Sequence, residues 1–290
     1  MNNTHTEFER YYQQVRSRQK RDTLSGSLLL LALYFAAGSM AEFNLFTIWH
    51  SLPNFFDYMF ETLPTLRVAD LFADSHTKGS LAYWGYRLPI QLPLIWETLQ
   101  LALASTLVAV AIATLLGFVA ASNAWSPAPL RVAVRVLVAF LRTMPELAWA
   151  VIFVMAFGIR GKPGIQAIML QPMGIQTKKF YEAVESAQDK PVRGLAACGA
   201  SHLQRIRFAL WPQVKPIFLS YGFMRLEINF RSSTILGLVG AGGIGQELMT
   251  NIKLDRYDQV SITLLLIIIV VSLLDMLSGR LRQWVLEGKK

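Results

Sequence analysis

Two long stretches without a charged residue constrain this chain more than any other feature of its sequence. Neither Leu99–Ala121 nor Val260–Leu274 contains Asp, Glu, Lys or Arg. The first stretch, at roughly 23 residues, is long enough to cross a hydrocarbon core about 30 Å thick as a helix. Because backbone polar groups in lipid must be satisfied within their own segment, both stretches are predicted to be transmembrane helices. We therefore expect an all-α, polytopic membrane protein.

The charge of the chain fits this class. Charged residues make up 16% of the sequence and the formal net charge is +9. Lys and Arg occur in clusters between apolar stretches, which is typical of the cytoplasmic flanks of membrane spans, so no nucleic-acid partner is expected. The single cysteine, Cys198, excludes an intrachain disulfide, and the histidines show no metal-ligand spacing. No metal site is predicted.

About six membrane spans are predicted, with both termini in the cytoplasm. Residues 1–25 form a basic cytoplasmic tail, and residues 26–91 hold the first span and an external loop. Residues 92–290 form the membrane core, with a polar cytoplasmic segment at 182–212 and a basic C-terminal tail at 278–290. Most Lys and Arg then fall on one side, which assigns that side to the cytoplasm. The first apolar stretch could alternatively belong to a cleaved signal peptide.

Two segments of the core have an unusual pattern. Residues 129–142 are apolar except for one stripe of arginines, and we interpret them as a helix lying in the membrane surface. The span predicted at 163–180 is interrupted by Gln166, Gln171 and Gln176. Because successive glutamines are rotated by roughly 140° on a helix, they are not expected to line one polar face.

The polar segment between the fourth and fifth spans contains a pattern that indicates docking. Gly199 separates two short amphipathic helices, and Leu203, Ile206 and Leu210 form an apolar stripe at spacings of three and four. A stripe on such a segment has no core of its own to pack against. It therefore predicts a surface for a partner, although an ordinary cytoplasmic loop remains an alternative.

The stretch from Gly199 to Pro212 resembles the coupling loop of ABC importer permeases. The wider stretch to Gly245 resembles the phosphonate-type permeases, through Leu219-Ser-Tyr, Arg225-Leu-Glu-Ile-Asn229 and Gly237-Leu-Val-Gly-Ala-Gly-Gly-Ile-Gly245. Arg193 and Gly194 depart from the loop pattern, which has Glu and Ala there. The resemblance implies a type I ABC importer permease-like core, in which the residues that contact a cytoplasmic ATPase are Gly199, Ala200, Leu203, Ile206 and Pro212.

This resemblance implies a permease subunit of an ATP-driven importer that moves a small oxyanion, such as a phosphonate or phosphite, across the bacterial inner membrane. The expected partners are an ABC ATPase dimer, a periplasmic or lipid-anchored substrate-binding protein, a second permease copy and membrane lipid. No Walker-type loop is found, so the chain is not expected to be an enzyme or to bind a cofactor, and ATP is used by the partner. The alternatives are an ion-gradient-driven secondary carrier and a membrane-embedded enzyme.

The fifth span contains charged residues, which are costly in hydrocarbon and usually functional or paired. Glu227 and Arg231 lie one turn apart and are expected to pair along the helix, which leaves Arg225 free to face a cavity. Together with Asn229 they are the candidates for the translocation pathway. A structural salt bridge between packed spans is an equal alternative.

A glycine-rich segment follows the fifth span. Gly240, Gly242 and Gly245 make a literal GxGxxG, but a dinucleotide site should follow a strand, and this segment follows an apolar span. We interpret Gly240, Gly242, Gly243 and Gly245 as a bend at the external membrane surface, where glycine permits backbone shapes that other residues resist.

Overall fold

The computed structural model describes residues 2–40, 45–64, 66–124, 127–158, 161–238, 240 and 242–287. Helices dominate these ranges and no strand occurs in them, which confirms the all-α class. The helices are α1 (Asn2–Met40), α2 (Leu45–Thr62), α3 (Leu81–Trp84), α4 (Leu88–Ala120), α5 (Ala128–Thr143), α6 (Glu146–Phe157), α7 (Gly161–Glu185), α8 (Asp189–Ala197), α9 (His202–Arg205), α10 (Trp211–Leu238), α11 (Gly243–Lys253) and α12 (Tyr257–Glu287). A 3₁₀ turn (Val68–Asp70) precedes α3, and a π-helical turn (Ile206–Leu210) joins α9 to α10.

The chain forms two compact units, Met1–Glu61 and Thr62–Lys290. The first unit contains α1, which continues without a break through the predicted tail and the first span. Its Tyr11–Met40 portion is long and apolar enough to cross a membrane, and its side chains are unburied within the chain. The second helix of this unit, α2, occupies part of the segment predicted as an external loop.

The second unit includes residues before α4, and these contact the last two helices. Trp84 Nε1 donates a hydrogen bond to Ser261 Oγ over 2.8 Å, and Gln259 Nε2 donates to the Trp84 carbonyl over 3.4 Å. Arg87 forms an ion pair with Glu247 of α11 at 2.8 Å. These contacts attach the entrance of α4 to α11 and α12.

A buried face of small side chains allows other helices to approach α4 closely. This face consists of Ala102, Ser105, Ala109, Ala113, Gly117 and Ala120. At Gly117 an added Cβ would lie 2.9 Å from the Cβ of Phe180 on α7, so the two helices meet where glycine leaves room. Phe180 stacks on Phe218 of α10 with ring centroids 3.9 Å apart. Helices α4, α7 and α10 therefore share one aromatic core.

Helix α5 packs against α4 and α7 along one narrow face, while the placement of residues 129–142 in the membrane surface stays a prediction. Near its start Val134 clusters with Ala120 of α4, and near its end Leu141 clusters with Ala109. Residues later in α5 contact residues earlier in α4, so the two helices run antiparallel. Other apolar side chains of α5, including Val132, Val136 and Phe140, remain exposed within the chain.

The helix pair α5–α6 is bent by 88° and, taken together, is long and apolar enough for a broken membrane span or a re-entrant loop. Pro145 explains the break, because the residue before a proline avoids the helical region. Met144 accordingly has an extended backbone, with ψ of 131°, and Pro145 is the N-cap of α6. Glu146 therefore becomes the first residue of α6.

By length and composition, three helices in the described part of the chain could each cross a membrane, in α1, α4 and α12, and the bent pair could be a fourth span. Helices α7 and α10 cover the predicted fourth and fifth spans. Neither of them is long and apolar enough to count as a membrane span by length and composition. Their polar side chains point into the protein: Gln176 of α7 and Asn229 of α10 are both buried.

Candidate translocation and coupling sites

Arg225 lies at the middle of α10 and forms the centre of a polar site. The residue is only 5% exposed. Its Nη2 pairs with the carboxylate of Glu146 on α6 and lies 3.4 Å from Oε1 of Gln171 on α7. The prediction that Arg225 is unpaired is therefore wrong, because the bend at Pro145 brings Glu146 against α10.

Glu146 is the functional candidate that the sequence reasoning missed. A carboxylate in the first turn of a predicted span, directly after a proline, was the available signal. An acidic residue at this position is favoured by the positive end of the helix dipole. The same residue also pairs with the buried guanidinium, so its carboxylate has two favourable electrostatic contacts.

Two of the three glutamines of α7 contact α10, and the prediction that the three do not line one polar face stays a prediction. Gln171 lies beside Arg225, and Gln176 Nε2 donates a hydrogen bond to the Tyr221 carbonyl of α10 over 2.9 Å. The side chain of Gln166 lies outside the described residues. Because α7 packs against α10 as well as α4, α5 and α6, Gln171 and Gln176 both reach protein partners.

A cavity of about 430 Å³ adjoins this site. Its polar lining consists of Glu146, Gln171, Arg225 and Ser232, and its apolar lining includes Ile228 and Ile235. The cavity lies at the inner corner of the bent helix pair, next to the middle of α10. One charged pair thus borders a partly open pocket whose other lining is largely apolar.

The other pathway candidates lie apart from this cavity. Glu227 and Arg231 form the predicted ion pair along α10, and their side chains are 12% and 53% exposed. Asn229 is buried, and its Nδ2 donates to Thr106 Oγ1 of α4 over 2.8 Å. The structure therefore separates the four candidates: Arg225 contacts α6 and α7, whereas Asn229 ties α10 to α4.

The glycine-rich bend packs tightly between α10 and α4. Gly240, Gly242 and Gly243 have φ angles of +96°, +94° and +69°, which side chains resist. A Cβ on Gly245 would overlap the carbonyl oxygen of Thr234 on α10. The Ile244 backbone N–H donates to Thr98 Oγ1 over 3.0 Å. The segment follows a helix and joins it to α11, which fits a bend and not a dinucleotide loop.

The coupling loop, residues 182–212, turns at Gly199, whose φ is +77°. Ser201 caps α9: its hydroxyl accepts from the Gln204 N–H, while the Gln204 side chain accepts from the Ser201 N–H over 2.7 Å. Ala200 lies half-buried between the turn and this cap, and Pro212 is exposed at the start of α10. The predicted arrangement of two short helices around a glycine turn is therefore present.

The apolar stripe predicted in this loop is exposed at one end and buried at the other. Leu203 is 74% exposed, but Leu210 is buried and Ile206 packs against the same core. Phe208, at 62% exposure, joins Leu203 on the outer side. The π-helical turn explains the change, because its wider period places residues five apart on one face. The exposed pair Leu203–Phe208 replaces the predicted stripe.

Glu185 anchors the start of the coupling loop. Its carboxylate accepts from the Ser122 N–H over 2.7 Å and pairs with Arg135 of α5. Burial raises the pKa of Glu185, but the hydrogen bonds from Ser122 and the Arg135 guanidinium outweigh burial and hold this pKa below its usual range. Arg193, the departure from the family pattern, pairs locally with Asp189 at 3.3 Å.

A helical bundle with several candidate membrane spans, a pocket bordered by an ion pair and an exposed two-helix loop has the features of a transport permease. The chain belongs to the family of binding-protein-dependent transport system inner membrane components, whose profile matches residues 113–288. It is therefore a multi-pass inner-membrane transport component and not an enzyme. An ion-gradient-driven carrier is not supported.

Relatives with known names agree with the phosphonate-type resemblance. The chain is 44% identical over 200 residues to the phosphite transport system permease protein PtxC of Stutzerimonas stutzeri, covering 69% of this chain and 72% of the relative. It is 44% identical over 117 residues to the putative cryptic phosphonate transport system permease protein PhnE2 of Escherichia coli K12, covering 40% of this chain and 96% of the relative.

Solved structures show the same fold at low identity. An inward-facing MetNI methionine ABC transporter matches with a TM-score of 0.62 at 20% identity, over 69% of this chain and 98% of the matched chain. A bacterial alginate ABC importer matches with a TM-score of 0.60 at 14% identity, over 89% of this chain and 99% of the matched chain. The type I importer permease fold predicted from the sequence is confirmed.

Proposed function

We propose that this chain is the permease of an ATP-driven importer for a small oxyanion of the phosphite or phosphonate kind. The observation that carries the proposal is the 44% identity to a phosphite permease over most of both chains. The buried guanidinium at the cavity supports an anionic substrate, since arginine matches phosphate-like groups in charge and geometry. ATP is hydrolysed by a separate subunit, and this chain binds no cofactor.

The proposed partners follow from exposed features of the bundle. Leu203 and Phe208 offer an apolar surface on the coupling loop for an ABC ATPase dimer. Arg231 is half-exposed within a predicted span, where a charge facing lipid is costly, so a second permease copy or a hydrated pathway covers it. A periplasmic or lipid-anchored binding protein delivers the substrate from the opposite side.

Transport tests the substrate directly. The chain, reconstituted in proteoliposomes with its ATPase and binding protein, is expected to take up radiolabelled phosphite or methylphosphonate when ATP is supplied inside. Excess unlabelled oxyanion should compete, and a non-hydrolysable ATP analogue should stop uptake. Uptake that follows an ion gradient without ATP, or no uptake of either oxyanion, would contradict the proposal.

The proposed orientation places both termini and the coupling loop in the cytoplasm. Cys198, the one cysteine of the sequence, is exposed in this loop and can report on it without mutation. In intact spheroplasts an impermeant maleimide is expected to leave the wild-type chain unlabelled and to label it after permeabilisation. Ser75→Cys in a Cys198→Ser background is expected to be labelled in both conditions. The reverse pattern would invert the topology.

A further inference from the structure

The cavity beside Pro145 contains a resident negative charge as well as a positive one. The side chains of Glu146 and Arg225 are 18% and 7% exposed, and together they carry no net charge. Ionised groups in a membrane interior are costly and mark functional sites. A buried ion pair often adds no stability over apolar residues of similar volume. Stability alone therefore does not explain this pair.

The pair uses only part of the hydrogen-bonding capacity of Arg225. A guanidinium offers five N–H donors in a planar fork. Within the described residues, its contacts to Glu146 and Gln171 both involve Nη2, and its buried Nε has no hydrogen-bond partner. A tetrahedral oxyanion suits this fork, because arginine binds phosphate-like groups through parallel hydrogen bonds.

Three helices meet at this pair, and one of them begins there. Arg225 lies at the middle of α10, and Gln171 belongs to the centrally packed α7. Glu146 opens α6, immediately after the 88° break. The ion pair therefore holds the start of α6 against α10, across a joint where the helix is already interrupted.

We propose that the Glu146 carboxylate is an internal counter-ion, which occupies the oxyanion site on Arg225 until the transported oxyanion takes its place. This inference rests on the proposed function and deepens it. The exchange breaks no covalent bond and moves no proton, because one anion replaces another at the same guanidinium. Once Glu146 is released, α6 is no longer held to α10, so occupancy of the site is linked to the position of α6.

Binding of radiolabelled phosphite to the permease–ATPase complex, without binding protein, tests the exchange. Glu146→Gln removes the competing charge and keeps the shape, so phosphite is expected to bind about tenfold more tightly than to wild type. Arg225→Gln is expected to weaken binding on the order of 10- to 100-fold, as for loss of a charge-assisted hydrogen bond. In the full transporter, both variants should slow ATP-dependent uptake, the first because release becomes slow.

The double variant Glu146→Gln/Arg225→Gln separates this role from a purely structural one. It leaves no stranded charge, so its folded yield should return to the wild-type level, while uptake stays slower than in wild type. Arg87→Gln/Glu247→Gln neutralises another largely buried pair, outside the cavity, and should keep phosphite binding unchanged. Restored uptake in the first double variant, or weaker binding in Glu146→Gln, would overturn the inference. Absence of uptake by the wild-type transporter would instead refute the proposed function.

Discussion

Gly245→Ala is expected to abolish accumulation of the folded permease. The added Cβ would overlap the carbonyl oxygen of Thr234, a backbone atom of α10 that cannot rotate away. A Cβ on Gly237 of α10 would likewise lie 2.7 Å from the Cα of Gly245, so there is no space for a side chain between the two segments. Overpacking of this kind costs about 3 kcal/mol, at the upper end for core substitutions. Detergent-extracted yield and monodispersity in size-exclusion chromatography measure the effect.

Gly279→Ala is the matched control for this substitution. Gly279 lies within α12, and a Cβ there would have no heavy atom within 4 Å. Alanine also has a higher helix propensity than glycine, by about 1 kcal/mol. The control should reach the wild-type yield or exceed it. Equal yields of the Gly245→Ala and Gly279→Ala variants would show that folding does not require the close contact between Gly245 and the Thr234 carbonyl.

Leu203→Asp should abolish association with the ATPase without loss of the folded bundle. Leu203 is exposed on α9 and makes no contribution to the buried core, so a charge there leaves the chain's own packing intact. If its side chain is a central contact of the coupling surface, its loss costs about 2 kcal/mol or more. That cost corresponds to at least a roughly thirtyfold weaker complex. Co-purification with a tagged ATPase measures it.

Two further variants sharpen this test. Phe208→Asp changes the second exposed residue of the same surface and should act in the same direction. Leu254→Asp places the same charge on an exposed leucine in the turn between α11 and α12, outside the coupling loop, and should leave co-purification unchanged. Full association of the Leu203→Asp variant with the ATPase would show that Leu203 of α9 does not belong to the coupling surface.

The sequence was sufficient wherever a local pattern determines the structure. The charge-free stretches predicted α4 and α12, because an apolar helix of that length needs no knowledge of its neighbours. The turn at Gly199 and the bend beginning at Gly240 were also predicted, because positive φ angles favour glycine regardless of context.

The sequence was insufficient where partners distant in the chain decide the outcome. Glu146 and Arg225 meet only because an 88° break turns α6 toward α10, and no local pattern encodes that direction. The contacts of Val134, Val138 and Leu141 on α5 were not predicted for a related reason: apolar side chains at these positions fit a lipid surface and a neighbouring helix equally well. The exposed face of the coupling loop was misassigned because the predicted period of 3.6 residues does not hold through a π-helical turn.

That widened turn, Ile206–Leu210, makes α9 and α10 one continuous rod with a single extra residue at their junction. Removing the extra residue from the turn would rotate α9 against α10 by about 100°, the angle that one residue occupies in an α-helix. Because no loop separates α9 from α10, the number of residues in this junction sets the direction that Leu203 faces relative to Arg225.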